Sequence, residues 1–562
     1  MSDQKNNQLD NPLEYFYHWE KNHPDRVFLK QPKGDHWKTL TYKEAGQEAR
    51  RMVTVLKKMG LKKGDHIGLL SKNCYHWILA DIAISMGGFV SVPYYASLPK
   101  AQLNEVILKS DIKLIFVGKL DSWDDKTEAL PEDLKVIKFP HYDGNATIPI
   151  GDNWNELIDQ SEPFEENYIP ETSDIWTILF TSGTTGSPKG VMLTYKSIVV
   201  VFRDEKKYNT LGIHSLKEHA FLSFLPLNHV AERVAIEGAA IFTGGTIAFA
   251  ESIDTFLKNL QDIQPTVFFA VPRIWNKFQS GILAKVPQKK LDLLLSIPII
   301  SSLIKKKLKK ALGLSRAEIV LTGAALTPQH LKQWYRKLDI NLREVFGATE
   351  ACGAVTITPL GEISDVGVGK AIPGIDFKIV PENGEVIYKS EQLMIGYYKE
   401  SEKTAEILKD GWYYSGDKGF IDEENNLNII GRVKDAFKTD KGKYVTPNPI
   451  ESEFSKNDLI EQVCVVGLSI PQPIALLNLS ELGLETQKEE VESQFETLLR
   501  KVNENLANFE KVSTMVIIKE PWTEANDLLT PTLKVKRNKI DERYMNQYPS
   551  WEKDSSILIW KN

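Results

Sequence analysis

Three cysteines, at positions 74, 352 and 464, are too few and too widely spaced for a disulfide framework or a thiolate zinc site. Neither sign of charge dominates. The 69 Lys and Arg stand against 75 Asp and Glu, a net charge of −6 that gives no reason to expect nucleic acid as a partner. No apolar run reaches the roughly 20 residues needed to span a bilayer. The opening MSDQKNNQLDNPLEY lacks the apolar core of a signal peptide. Low-complexity segments and internal repeats are missing too. These absences predict a protein of a reducing compartment, the cytoplasm. The longest apolar stretch, LDLLLSIPIISSLI from Leu291 to Ile304, runs into Lys305, Lys306, Lys307, Lys309 and Lys310. A buried helix pair broken at Pro298, with a solvated lysine face, is the expectation. Peripheral docking of Leu291–Lys310 on an anionic membrane is the alternative.

What is present is ordinary for a globular protein: 42% hydrophobic and 26% charged residues, in a 562-residue chain too long for one domain. Short apolar runs alternate with helical patterns. His66-Ile-Gly-Leu-Leu, Phe89-Val-Ser-Val-Pro, Lys113-Leu-Ile-Phe-Val, Ala220-Phe-Leu-Ser-Phe and Val267-Phe-Phe-Ala-Val read as buried strands. Thr41 to Met59 and Tyr75 to Met86 read as helices. The alternation predicts α/β layers with a largely parallel sheet. After about Pro373 the runs shorten and turn clusters separate them, which predicts an antiparallel β region. From Asp435 onward a compact α+β domain is expected, with a helix at Val491 to Leu506.

The densest chemistry is TSGTTGSPKG, Thr181 to Gly190, directly behind the strand-like run Ile175 to Phe180. Gly183 and Gly186 let a backbone approach phosphate oxygens. Thr181, Ser182, Thr184, Thr185 and Ser187 add hydroxyls, and Lys189 adds positive charge. This is polyphosphate-cradle chemistry without the G-x-x-x-x-G-K-[ST] spacing of a P-loop. Four further segments are weak alone. Val345-Phe-Gly-Ala-Thr-Glu350 offers an aromatic face, a turn, a hydroxyl and a carboxylate able to hold Mg²⁺. Tyr413-Tyr-Ser-Gly-Asp417 sets a carboxylate after a glycine turn, suited to ribose hydroxyls. Gly431-Arg-Val-Lys-Asp435, with Gly442 behind it, opens the small domain, and Thr530-Pro-Thr-Leu-Lys534 sets a lysine in a constrained loop.

In this order and spacing the segments resemble the adenylate-forming superfamily of acyl-CoA synthetases, luciferases and peptide-synthetase adenylation domains, from about Asp25 to Arg537. Phe224 to Arg233, Pro265 to Trp275 and Leu529 to Lys534 resemble its long-chain fatty acyl-CoA synthetases. Leu533 is telling, because most of the superfamily has glycine there. The resemblance implies a large N-terminal domain, residues 1–432, of layered sheets and helices with a β region. It also implies a small mobile α+β C-terminal domain, residues 433–562, turning about a hinge near Lys434.

The resemblance further implies a ligase that joins a long-chain fatty acid to coenzyme A through an acyl-adenylate, using ATP and Mg²⁺. Lys534 matches the adenylation lysine, and Glu350 with Thr181 the metal contacts. Ser182, Gly183, Thr184, Thr185, Gly186 and Lys189 match the pyrophosphate loop. Gly323, Ala324 and Ala325, with Phe346, Gly347, Ala348 and Thr349, match the adenine side. Asp417 matches the ribose ligand, assisted by Arg432, and His229 borders the acyl carboxylate. Rotation about Lys434 would exchange Lys534 for the face around Lys438 and Gly442 when coenzyme A enters. Lys389-Ser-Glu391, Ser415 and Phe346 depart from the family pattern without removing a charge the chemistry needs. An acyl-AMP ligase or acyl-carrier-protein ligase is the rival within enzymes. A non-catalytic nucleotide-binding or membrane-recruited protein is the rival outside them. The small residues of Val234 to Gly245 suit either an acyl channel or close helix packing.

Overall fold

A computed structural model describes residues 10–124, 126–181, 188–468, 470–530, 533–554 and 556–561. Among these, the largest sheet has eight strands. It runs from Gly396–Tyr397 at one edge through Lys189–Thr194, Ile175–Thr181, Val90–Tyr94, His66–Ser71, Leu114–Gly118 and Lys135–Lys138 to Asp152–Asn153. The strands from Ile175–Thr181 to Asp152–Asn153 pair in parallel. Their near-continuous apolar sequences require cover on both faces. The helix Tyr75–Gly87, buried along its whole length, supplies it on one face, with Tyr42–Lys58 packed outside. Thr41 and Glu44 close a capping box at the start of that outer helix, which fixes its first turn. Both helices and the strands expected from apolar periodicity are found within one or two residues of their expected ends.

A second sheet takes Val267–Ala270, Ile319–Gly323 and Arg343–Ala348 in parallel, then turns antiparallel through Gly353–Ile357 and Lys370–Ala371. The β region after Pro373 is the expected antiparallel one, built from Asp376–Ile379, Glu385–Lys389, Trp412–Ile421 and Leu427–Arg432. Residues beyond Arg432 form a separate four-stranded sheet, Ile460–Val466, Ile474–Leu479, Met515–Ile518 and Leu558–Lys561, with its own apolar clusters. The long helix there spans Lys488–Asn503, three residues earlier than expected. Glu489 and Glu490 suit its first turn, and Asn503 ends it by exchanging two hydrogen bonds of 2.9 Å with the Val512 backbone.

The stretch Leu291–Lys310 corrects the expectation of a buried pair. It folds as two helices, Gln288–Ser296 and Pro298–Ala311, broken at Pro298 as expected. Leu291, Leu295, Ile304 and Leu308 pack on the core, but Leu293, Ile297, Ile299, Ile300 and Leu303 at the turn are exposed. The apolar residues outnumber the positions facing the core, so the hairpin tip keeps its excess in solvent. Among the described residues no helix is long and apolar enough to cross a membrane.

Candidate active site

The antiparallel hairpin Ile175–Thr181 and Lys189–Thr194 brings Thr181 opposite Lys189 in register. Ser182, Gly183, Thr184, Thr185 and Gly186, expected in the phosphate loop between them, lie outside the described residues. Thr181 and Lys189 both face a cavity of about 630 Å³, the size of a small-molecule site. The same cavity is lined by Ala324, Gly347, Ala348, Thr349, Glu350, Asp417, Arg432, Lys434, Lys534 and His229. Segments more than 350 residues apart in sequence thus meet at the carboxyl ends of the parallel strands, where α/β sheets bind ligands.

Local backbone explains several of these positions. Ala324 ends its strand at φ 63, a left-handed conformation that a non-glycine residue adopts at a cost of about 1 kcal/mol or more. A Cβ at Gly347 would stand 1.9 Å from the Gly353 carbonyl, so only glycine lets these two strands close. Gly323, Ala325 and Phe346 flank the cavity-facing residues without lining the cavity themselves. Phe346 instead packs against the main core.

Asp417 and Arg432 face each other across paired strands, with Arg432 Nε 2.9 Å from Asp417 Oδ1. Arg432 Nη1 also donates to the Ser415 carbonyl at 3.1 Å. The turn before Asp417 is fixed by Gly416 at φ 70 and by Glu385, whose Oε1 accepts from Gly416 N at 2.9 Å. Burial raises the Asp417 pKa above the usual carboxylate range, opposed by Arg432 and Lys534.

Lys534 lies on a tight loop of the small domain. Its amide donates to Thr530 Oγ1 at 3.0 Å, and its carbonyl accepts from Thr530 N at 2.8 Å. Leu533, before it, sits at φ 61. This is the conformation glycine takes most readily, and leucine here carries backbone strain. The Lys534 side chain is water-accessible and lines the cavity. Desolvation by the protein around the cavity lowers its pKa, the Arg432 guanidinium lowers it further, and Asp417 opposes both.

His229 begins the helical turn Val230–Glu232, where its Nδ1 accepts from Ala231 N at 3.2 Å. Burial, with a smaller push from Lys534, brings its pKa down to about 4. At neutral pH it is therefore neutral, with its proton on Nε2.

Glu350 presents its carboxylate to the cavity, where Oε1 accepts from Tyr397 Oη at 2.8 Å. Among the described residues no cluster of three or more His, Cys, Asp or Glu could hold a metal ion. A cation at Glu350 and Thr181 would complete its shell with phosphate oxygens and water, which is the habit of Mg²⁺. The residues fit that ion.

Lys438 and Gly442 are not brought together with the others. They sit on the short hairpin Phe437–Lys438 and Tyr444–Val445, and neither lines the cavity. Two contributors to the polar end of the cavity escaped sequence reasoning. Tyr397 joins Glu350 to Lys189, whose Nζ lies 5.0 Å from the centroid of the tyrosine ring. Glu385 shapes the Asp417 turn. Nothing local to Tyr397 says that the short helical turn Thr349–Ala351, 47 residues before it at Glu350, delivers a carboxylate to it.

Away from the Lys534 end the cavity continues as a mostly apolar channel between the helix Tyr195–Tyr208 and the helical run Val230–Thr243, with Asp204, Glu205 and Thr210 also on its lining. Ala231, Val234, Ala235 and Ala239 line one wall, and Val201, Phe202, Leu211 and Ile213 continue it. Gly238 instead faces Phe202, and a Cβ there would come within 2.8 Å of that ring. The small-residue stretch therefore serves both purposes, with channel and packing positions interleaved. Arg233, between them and fully buried, anchors the run to the sheet. Its Nη2 is 2.5 Å from Asp81 Oδ1, and its Nη1 donates to Thr177 Oγ1 at 2.7 Å.

Residues 16–398 match the AMP-binding enzyme family, and residues 434–548 match the AMP-binding enzyme C-terminal domain. The chain is 29% identical over 611 residues to long chain acyl-CoA synthetase 2 of Arabidopsis thaliana, covering 95% of this chain and 91% of that protein. It is 30% identical over 590 residues to fatty acyl-CoA synthetase A of Dictyostelium discoideum, covering 92% and 86%. Among solved structures, the adenylation domain of a Mycobacterium chelonae carboxylate reductase superposes with a TM-score of 0.80. That pair is 21% identical, over 97% of this chain and 91% of the other, so the likeness speaks to the fold. The chain belongs to the AMP-binding, adenylate-forming enzymes, in their long-chain acyl-CoA synthetase branch. The resemblance and the α/β fold class read from the sequence are borne out.

Proposed function

We propose that this one cavity carries out both half-reactions of ATP-dependent fatty acyl-CoA synthesis, with Lys534 serving the first and withdrawn for the second. The overall conversion takes a long-chain fatty acid, ATP and coenzyme A to acyl-CoA, AMP and pyrophosphate through an acyl-adenylate. The observation that carries the reading is continuity. A polar chamber holding Lys534, Glu350 and the Asp417–Arg432 pair opens directly into an apolar channel.

In the first step a carboxylate oxygen of the acid attacks the α-phosphorus of ATP, and pyrophosphate leaves. Two anions must be held together, so fixed positive charge at the α-phosphate is the chief requirement. Lys534 supplies it between carboxylate and phosphate. Neutral His229 donates its Nε2–H beside the carboxylate, and Lys189 steadies the departing phosphates. Asp417, held by Arg432, accepts the ribose hydroxyls, while Ala324, Gly347 and Ala348 flank the base. Glu350 and Thr181 would hold Mg²⁺, which neutralises phosphate charge when bound. The apolar channel takes the acyl chain.

In the second step the coenzyme A sulfur attacks the acyl carbonyl and AMP leaves. Lys534 has no anion pair left to bridge. Rotation of residues 433–562 about Lys434 would remove it and bring the Lys438–Gly442 face to the cavity. Few polar contacts would resist that motion: Gln102 Nε2 to Asp527 Oδ1 at 3.2 Å, and an Arg273–Glu461 ion pair at the surface. Exposed pairs of this kind contribute about 0–1 kcal/mol. A cytoplasmic location belongs to the same reading.

The test is release of pyrophosphate and AMP from Mg-ATP and palmitate, with and without coenzyme A. Palmitoyl-CoA and AMP appearing together only with coenzyme A is the expected result. A pyrophosphate burst with no thioester would make a carrier protein the acceptor. No pyrophosphate at all would overturn the assignment of the channel to a long acyl chain.

A further inference from the structure

The helical hairpin Gln288–Ala311 takes no part in the cavity, and its tip is unlike the rest of the surface. Leu293 is 64% exposed, Ile299 79% and Leu303 65%, with Ile297 and Ile300 beside them. Leu291, Leu295, Ile304 and Leu308 already provide the hairpin's anchorage to the core, so the tip residues contribute nothing to it. Charge is segregated in the same place. In a chain of net charge −6, residues 285–310 carry eight lysines against one acid, Asp292. Asp292 is held by Lys337, and Lys305 by Asp339, while Lys306, Lys307, Lys309 and Lys310 make no ion pair among the described residues.

The order along the second helix gives the patch a polarity. Ile299, Leu303, Lys306 and Lys310 follow at intervals of four, three and four residues, which puts them on one stripe. The stripe runs from an apolar tip to a basic base. Seven residues of helix separate Ile299 from Lys306, about 10 Å at the usual rise. An apolar group that enters a bilayer interface reaches about 5–10 Å below the headgroups. With the tip at that depth, the lysines stand at the level of lipid phosphates.

We infer that this hairpin docks the enzyme on anionic lipid bilayers, its tip inserted below the headgroups and Lys306, Lys307, Lys309 and Lys310 paired with lipid phosphate. A lipid surface suits the patch better than an acidic protein does. The tip is a convex hairpin end rather than a groove, and its apolar and basic zones lie at successive depths. The choice also rests on the reaction, because a long-chain acid partitions into the bilayer on which the hairpin would sit. Strands on either side of the hairpin, Val267–Ala270 and Ile319–Gly323, contribute Val267, Phe269, Ile319 and Leu321 to the channel, so docking would tie the channel wall to the membrane.

The test is co-sedimentation of the full chain with phosphatidylcholine vesicles, with and without phosphatidylglycerol, at low and high salt. Binding should require phosphatidylglycerol and weaken at high salt. Replacing Lys306, Lys307, Lys309 and Lys310 together by Gln should weaken binding at least about tenfold, within what four surface lysines contribute. Ile299→Ser with Leu303→Ser should also release the protein. Thermal unfolding and turnover of a soluble medium-chain acid, measured on every variant, should not change. Vesicle binding needs no turnover, so a failed docking proposal and a failed reaction assignment read separately. Protein that stays in the supernatant, or binding indifferent to either set of changes, overturns the proposal. So does a dimer in solution that the Ile299→Ser, Leu303→Ser variant abolishes without any vesicle binding.

Discussion

Tyr397 donates its phenolic proton to Glu350 at 2.8 Å while its ring lies under the Lys189 ammonium. One side chain thereby sets the distance between a carboxylate and a lysine that come from different sheets. Burial, and then the Glu350 charge, hold the Tyr397 pKa far above the ordinary phenol value, so it remains a donor at any working pH.

Tyr397→Phe keeps the ring under Lys189 and removes only the bond to Glu350. A hydrogen bond to a charged group is worth about 1.5–3 kcal/mol, so adenylation should slow roughly tenfold to a hundredfold. Pyrophosphate release should also need more Mg²⁺ for half-maximal rate. An unchanged Mg²⁺ dependence would mean that Tyr397 only packs.

Lys534→Ala should abolish acyl-AMP formation and leave thioester formation from supplied acyl-AMP largely intact. Lys434→Pro should do the opposite. Lys434 lies in the short helical turn Val433–Asp435, where proline can be accommodated, but a fixed φ would hinder rotation. The two half-reactions are measured separately in each variant. Equal loss of both in Lys534→Ala, or full thioester synthesis in Lys434→Pro, contradicts the exchange of faces.

The pH profile of adenylation should have an early alkaline limb. Lys534 must be protonated to bridge two anions, and its pKa is below that of an ordinary lysine. Arg432 is one cause of that depression, so Arg432→Gln should move the limb to higher pH while lowering the rate. Asp417→Asn removes an opposing charge and should move it to lower pH. Single-turnover rates against pH decide the matter. His229, neutral above about pH 5, should add no limb near neutrality.

Chain length should respond to depth in the channel. Ala231, Ala235 and Ala239 follow one another along the helical run, spanning at most about 12 Å. Ala235→Phe should depress palmitate turnover at least about tenfold relative to octanoate, since each lost methylene contact is worth about 0.8 kcal/mol. Ala239→Phe, one turn deeper, should spare longer acids than Ala235→Phe does. Identical length profiles for the two variants would place the acyl chain elsewhere.

Asp81→Ala leaves Arg233 charged and buried beside Trp176, whose ring centroid is 4.5 Å from the guanidinium. Breaking one side of a buried pair costs about 3–5 kcal/mol, which urea unfolding would register as a lower midpoint. A loss under about 1 kcal/mol would show that Glu237, whose Oε2 lies 3.5 Å from Arg233 Nε, takes over as the buried counter-charge.

Local chemistry made much of this legible. Apolar runs at His66 and Val267 gave the strands because burial on both faces leaves no polar positions to confuse the pattern. Lys534, Asp417 and Glu350 were singled out because the order and spacing of their segments together resemble one superfamily, each segment being weak alone; the structure brings all three to one cavity. Tyr397, Glu385 and Arg233 were passed over as contributors because their partners lie far away in sequence, at Glu350, Gly416 and Asp81. The hairpin at Pro298 was readable as two helices, but which side chains face the core depends on how much core is there to face. Leu533 was noticed as the absence of glycine, and only the backbone shows that the conformation glycine favours has been kept.

The helical run that carries both His229 and Ala239 is not uniform. Its middle, Arg233–Gly238, is a π-helical turn, wider by one residue than the turns on either side. The wider turn takes up that extra residue and so keeps the phase between the head of the acid and its tail. Deleting one residue within Arg233–Gly238 would let the turn close to ordinary α winding, five residues then covering about the rotation that six cover now. Ala239 and the residues beyond it would keep their face toward the channel, and only the side chains inside the turn would be reassigned. The segment should therefore accept the loss of a residue at this turn more readily than a deletion in the regular helix Ala239–Thr243 that follows it.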